Sequence, residues 1–367
     1  MATRVIGLRW SIASVLLAAI ATAGCTTVPS REFTTYKDSF AKARAAGETV
    51  VLDYGVAVAQ FEEIKAKQAA AKPAKKMREP FDPNAAGRNQ AAVDHILIRM
   101  KAWEVVARYN DLLTALAEGK SAEELAGAVD GLSASLNSFP IKDVAAAATQ
   151  VSGYLAPLRA LALEAAKEHS RRQFIDAVGL GAPLINDSFL KLLRDETGDF
   201  YLVRERLNDR EISALADTAN STGTRLSELV SAYQASRDAD AAIAAFNADV
   251  ERLPVLRGGV RLVFPLKSPS QRGTNPLTPD VAAQIATLAQ DAKAQVAKVM
   301  AKDDELTAYR QVLIAYLGLL NQLEHSLRGL LAAAEQAQPG IPQGADLERA
   351  VILLRQAYMA YKDKGKD

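Results

Sequence analysis

The sequence predicts an all-α protein, an elongated multi-helix bundle with long coiled-coil-like helices, about five to seven in number. Three observations carry this. Apolar residues recur at a 3-4 spacing without interruption of period from Val281 to Ala334. Aromatic residues make up only 6% of the 367 residues while alanine is abundant, which suits close helix packing rather than a β-sandwich. Helix start and stop residues bracket the apolar patterns.

Residues 1–24 carry Arg4 and Arg9, no acid, and the uncharged stretch SIASVLLAAIATAG. A permanent spanning helix needs about 20 apolar residues, so this stretch is too short. A basic start, a short apolar run and small residues before a cut site describe a secretory signal. Ala21, Thr22, Ala23 and Gly24 are the small residues, and Cys25, the only cysteine, follows. Ala23-Gly24-Cys25 resembles the end of the lipobox of bacterial lipoproteins, with Thr22 where leucine is usual. The resemblance implies cleavage between Gly24 and Cys25, a diacylglyceryl group on the Cys25 sulfur, and a palmitate-type acyl chain on the new amine. Two or more chains hold a protein to a bilayer firmly, whereas one holds it reversibly. In such lipoproteins an aspartate after the cysteine implies retention at the inner membrane. Thr26 stands there instead, which implies the outer membrane facing the periplasm. The alternative is an ordinary cleaved signal that leaves a free thiol.

Removal of residues 1–24 takes away two of the 44 basic residues and none of the 43 acidic ones. A near-neutral chain excludes nucleic acid as a global partner, since phosphate binding wants clustered positive charge. With Cys25 acylated no disulfide is available, so stability rests on a packed core.

Residues 25–33 read as a polar tether. A first helix is expected from about Glu32 to Lys76, although TVVLDYGVAV, β-branched and holding Gly55, allows a break near 47–55. KPAKKMREPFDPNAAGR, residues 72–88, reads as a basic, proline-containing connection. From Ala91 to Glu118 an apolar stripe runs Ile96, Met100, Trp103, Val106, Tyr109, Leu113, Leu116, with Gly119 as a stop. Ser121 with Glu124 makes a capping box for the next short helix. Val144, Val151, Leu158 and Ala165 step by seven between Pro140 and Gly181. A further helical pattern runs from about Pro183 to Leu253 through Leu190, Leu193, Leu202, Leu207, Ile212, Leu215, Leu226, Leu229 and Tyr233. The bundle's first part is thus 34–252. Residues 253–279 form a long Pro/Gly-rich loop in which GVRLVFPL suits a strand. The C-terminal helices occupy 280–367. Their start is marked by Thr278-Pro279-Asp280, a capping oxygen, a proline in the first turn and a carboxylate at the positive helix end. Ile285, Ala292, Val299, Leu306, Leu313, Leu320, Leu327 and Ala334 then form one seam, with Val281, Leu288, Gln295, Lys302, Tyr309, Tyr316, Leu323 and Leu330 beside it. A sustained heptad favours near-parallel, coiled-coil-like packing.

Patterns that would carry chemistry are few. The residues three places before His95, His169 and His325 are Ala92, Ala166 and Gln322, so no Glu-x-x-His metal pair forms. No cysteine cluster or His-Glu-x-x-His run offers a zinc site, and no metal or cofactor is expected. Ser39-Phe40-Ala41-Lys42 has the Ser-x-x-Lys spacing of penicillin-binding enzymes. Ser135-Leu136-Asn137 and Ser221-Thr222-Gly223 imitate their other motifs, but on helical patterns rather than a strand. No Gly-x-Ser-x-Gly elbow or phosphate loop occurs.

The expectation is a non-enzymatic, membrane-anchored envelope lipoprotein, a helical scaffold or binding module for another envelope protein or polymer. Its partner on one side is the lipid bilayer through Cys25. Candidate contacts with a partner or anionic surface are Lys72, Lys75, Lys76, Arg257, Arg261, Lys267 and Arg272. The alternative is a helical pore-forming or membrane-remodelling protein, with VRLVFPL and VLIAYLGLL as its apolar candidates, both short of a spanning length.

Overall fold

The computed structural model describes residues 30–71, 83–139, 171–195, 197–234, 272–336 and 343–365, with isolated positions at 156–157, 159–160, 241, 244 and 247–248. Among these residues the fold is an all-α helical bundle. Its helices are α1 (Ser30–Ala71), α2 (Pro83–Ala117), α3 (Ala122–Asn137), α4 (Arg171–Leu184), α5 (Lys191–Asp195), α6 (Thr197–Ala232), α7 (Pro279–Gln336) and α8 (Gln343–Lys364). A π-helical turn, Ile185–Leu190, joins α4 to α5.

The helix ends follow from local chemistry. Gly119 takes φ 65°, the left-handed region open to glycine. That conformation lets Lys120 N–H reach Ala115 O at 2.9 Å and Gly119 N–H reach Leu116 O at 3.3 Å, closing α2 in a Schellman motif. Two residues on, the Ser121–Glu124 capping box opens α3, with Glu124 N–H donating to Ser121 Oγ at 3.3 Å and Ser121 N–H to Glu124 Oε2 at 3.1 Å. At the start of α7, Val281 N–H donates to Thr278 Oγ1 at 3.4 Å. The α7 seam is buried at Ile285, Ala292, Val299, Leu306, Leu313, Leu320 and Leu327.

Several boundaries differ from the sequence reading. α1 is one continuous helix of 42 residues through 47–55. Gly47 and Gly55 are spacers for close helix approach rather than breaks: a Cβ on Gly47 would sit 2.2 Å from Cζ2 of Trp103, and one on Gly55 2.9 Å from Ile96 Cδ1. α1 also takes in residues 30–33 of the expected tether, and α2 takes in 83–88 of the expected connection, with Pro83 in a first turn whose N–H groups have no intrahelical acceptor. Pro183 lies inside α4 rather than opening a helix. Proline removes one backbone donor and crowds the preceding turn; a π turn begins two residues later. α6 stops at Ala232, and Leu202, counted in its apolar stripe, is 46% exposed. GVRLVFPL, the heptad positions Val144, Val151, Leu158 and Ala165 and the signal segment lie outside the described residues.

The helices build two compact units. One takes Met1–Val56, Ala74–Gly198 and Ile314–Arg355, the other Ala57–Pro73, Asp199–Leu313 and Gln356–Asp367. Each therefore draws on both sides of the 253–279 connection. In the first unit the core gathers Tyr36, Trp103, Tyr109, Leu112, Phe174, Phe189, Tyr316 and Leu320, all fully or almost fully buried. Phe33 meets Phe174 edge-on at 5.6 Å, and Phe139 meets Phe189 at 5.2 Å. Edge-to-face pairs of this kind contribute beyond their buried area. In the second unit α6 and α7 zip together antiparallel: Leu226 and Val230 pack with Ile285 and Ala289, and Ile212 packs with Val299. Ala57 and Phe61 pack with Leu207. No helix among the described residues is long and apolar enough to cross a membrane.

Candidate functional site

Gly24 and Cys25 lie outside the described residues, as do Lys72, Lys75, Lys76, Arg257, Arg261 and Lys267. What the structure fixes is the ground around them. α1 begins at Ser30, five positions after Cys25. Five extended residues reach at most about 18 Å.

Arg272 is the one expected contact residue that is described, and it is half-buried. It opens a short segment that caps the end of α6. Gly273 N–H donates to Ser231 O at 2.8 Å, Asn275 Nδ2 to Ala232 O at 3.1 Å, and Gln234 N–H to Asn275 O at 2.9 Å. The last carbonyls of a helix have no intrahelical donor, and this segment satisfies two of them. Gly273 is required by the close approach, since a Cβ there would lie 2.4 Å from Ala232 O. Arg272 thus belongs to a docked stretch of the second unit.

The Ser-x-x-Lys residues are spent on packing in the first unit. Ser39 Oγ donates to Gly344 O at 2.9 Å, and Lys42 pairs with Glu348 at 2.5 Å, so both fasten α1 to α8. Ser135 Oγ donates to Glu104 Oε1 at 3.2 Å, and Thr222 Oγ1 to Thr218 O at 3.0 Å. His325 is exposed on α7. Among the described residues no group of three or more His, Cys, Asp or Glu side chains is placed to hold a metal ion.

Polar groups in the cores are what sequence reasoning missed. In the first unit Arg99 is fully buried, with its guanidinium 4.9 Å from the centre of the Tyr54 ring. A cation over an aromatic face is held by the ring quadrupole. Tyr109 Oη donates to Val178 O at 3.1 Å. Burial pushes the Tyr36, Tyr109 and Tyr316 phenols well above their ordinary range, so all three are neutral. Arg194 pairs with Glu324, donates to Asn321 Oδ1 at 3.1 Å, and Glu324 also takes Arg328.

In the second unit Arg204 lies 5.2 Å from the Tyr309 ring and 5.5 Å from the Tyr361 ring. Lys302, a polar break in the α7 seam, bonds Glu305 at 2.8 Å and Glu211 at 2.9 Å, while Asn208 Nδ2 donates to Lys302 O at 2.7 Å. Burial pulls the Lys302 pKa down, but the hydrogen bonds and charges of Glu305 and Glu211 outweigh it and leave the ammonium above its usual 10.5. These groups organise packing: each charge sits against an aromatic ring or an opposite charge.

No protein family matches this chain, and comparison with curated proteins and with solved structures finds no match.

Proposed function

We propose that this chain is an envelope lipoprotein, held to the outer membrane through acylated Cys25, whose helical body acts as a non-catalytic scaffold or binding module. One observation carries the reading: a basic start and a short apolar run end in Ala23-Gly24-Cys25, the only cysteine. The start of α1 at Ser30 supports it, because so short a spacer holds a folded body at the bilayer surface. The engagement of Ser39, Lys42 and Ser135 in helix packing supports a binding rather than a catalytic role. The partner is another envelope protein or polymer, met in part through Lys72, Lys75, Lys76, Arg257, Arg261 and Lys267. Attraction to an anionic surface is worth about 1 kcal/mol per nearby basic residue.

Mass spectrometry of the mature protein and membrane fractionation test the anchor. Acylated wild-type protein in the membrane fraction, and an unprocessed or soluble Cys25→Ser variant, are expected. Identical mass increments and fractionation for the two would overturn it. Crosslinking in intact cells tests the scaffold: a specific neighbour lost on charge reversal of Lys72, Lys75 and Lys76 is expected, and no specific neighbour counts against it.

A further inference from the structure

The large apolar side chains of the first unit are buried with a few exceptions, and some of these fall side by side. On α1, Leu52 is 55% exposed and Val56 56%. From Ala45 to Val56 the exposed positions of α1 are Ala45, Thr49, Leu52 and Val56, none of them charged. Their spacing of four, three and four residues lays them on one face. Thr49 Oγ1 donates to Ala45 O at 2.8 Å, so its hydroxyl is turned back on the helix. α8 runs beside α1 in the same direction, since Ser39 meets Gly344 and Lys42 meets Glu348. One turn beyond Glu348, on the same face, comes Ile352, which is 49% exposed. The Lys42–Glu348 ion pair therefore closes one end of an uncharged strip formed by Ala45, Thr49, Leu52, Val56 and Ile352.

We infer that this strip lies against the bilayer surface and that α1 rests along the membrane. The inference rests on the acylation of Cys25. Two observations favour lipid as the occupant. The strip's own helix starts five residues from Cys25, so its beginning stays within about 18 Å of the acyl chains. Three half-exposed aliphatic side chains offer only on the order of 100–200 Å², far below the roughly 800 Å² per partner of a stable protein interface. A surface so small holds a second copy poorly. It suffices for a bilayer already brought close by an anchor, because the second contact is intramolecular. The chemistry it fits is the boundary between headgroups and acyl chains, where a helix lies in plane with its apolar face down.

The test uses the full-length protein, processed in cells and reconstituted into phosphatidylethanolamine–phosphatidylglycerol vesicles with brominated acyl chains. Trp103 is fully buried and Trp10 belongs to the leader, so a Leu52→Trp variant supplies the reporting indole. At least about a twofold loss of its emission is expected from contact with the acyl boundary, with no loss from an Asp111→Trp control on the exposed side of α2. Acylated protein whose indole at position 52 is not quenched overturns this inference and leaves the anchor standing. Equal quenching at 52 and 111 also overturns it, as does a doubling of mass in detergent that Val56→Glu abolishes, because a second copy would then cover the strip. Unacylated protein overturns the anchor and this inference together.

Discussion

α7 carries one heptad from Val281 to Leu330, yet its two stretches bury it differently. In 314–330, which belongs to the first unit, Tyr316, Leu319, Leu320, Leu323 and Leu327 have no exposed surface. In 281–313, which belongs to the second, Val281, Leu288, Gln295 and Lys302 of the companion row are only partly buried, and that row is fully covered only at Tyr309. Residue size tracks this contrast: Tyr and Leu dominate the first stretch, Ala and Val the inward positions 289–299 of the second. Periodicity settles which side of a helix turns inward. How completely that side is covered depends on what packs against it.

Substitutions in the two stretches separate these effects. Trp103→Ala, in the fully covered core of the first unit, is expected to cost about 3–5 kcal/mol in urea unfolding. Leu320→Ala follows at about 2–5 kcal/mol, while Leu288→Ala, only partly buried, is expected near about 1 kcal/mol. Equal losses at 320 and 288 would break the comparison. Gly47→Ala sharpens it from the other side, since the added methyl meets the rigid Trp103 ring and overpacking costs about 1–3 kcal/mol.

The polar layer of the second stretch responds to pH. Lys302→Met removes the cation beside buried Glu305 and is expected to cost about 1–3 kcal/mol at neutral pH. Adding Glu305→Gln to that variant recovers part of the loss. The sign follows from the raised pKa of Lys302. A group whose folded pKa lies above its unfolded value stabilises fully below the unfolded value and loses that contribution as pH climbs through the folded one. Thermal melts should therefore show wild type losing its margin over Lys302→Met as pH rises beyond 10.5. A constant margin on both sides of that pH assigns the effect of Lys302 to packing of its stem.

Local signals were the legible ones. Thr278, Gly119 and the Ser121–Glu124 pair each act within four residues, and the structure places each where the sequence does. The continuity of α1 was hidden because Gly47 and Gly55 answer to Trp103 and Ile96 on another helix. Pro183 reads as a helix start because proline suits a first turn, but the structure sets it inside α4, two residues before the π turn. Nothing local marks Arg99 and Arg204 as core residues, since their aromatic neighbours Tyr54, Tyr309 and Tyr361 are distant in sequence. The exposed strip carries no sequence signal of its own, because the exposure of Leu52 and Val56 depends on which helices pack beside them. The proposal of acylation at Cys25 rests on consecutive residues, Ala23-Gly24-Cys25, and so on the sequence alone.

The smallest expected effect compares two caps on helices of different length. α3 has 16 residues, and Ser121 Oγ accepts from Glu124 N–H at 3.3 Å while donating to Glu124 Oε2 at 2.9 Å. α7 has 58 residues, and the Thr278 side chain offers its start a single contact, the 3.4 Å bond from Val281 N–H to Oγ1. Ser121→Ala is expected to cost about 1 kcal/mol, and Thr278→Ala about half that or less. The hydrogen bonds from Ser121 hold the Glu124 carboxyl below its ordinary 4.5. A depressed carboxyl stabilises above its unfolded pKa and loses that contribution as pH falls through the folded value. The difference between wild type and Ser121→Ala in thermal melts should therefore narrow as pH drops below 4.5, while that for Thr278→Ala stays level. A larger cost at Thr278 than at Ser121 would mean that α7 depends on its first turn more than on its seam, against the burial seen along its length.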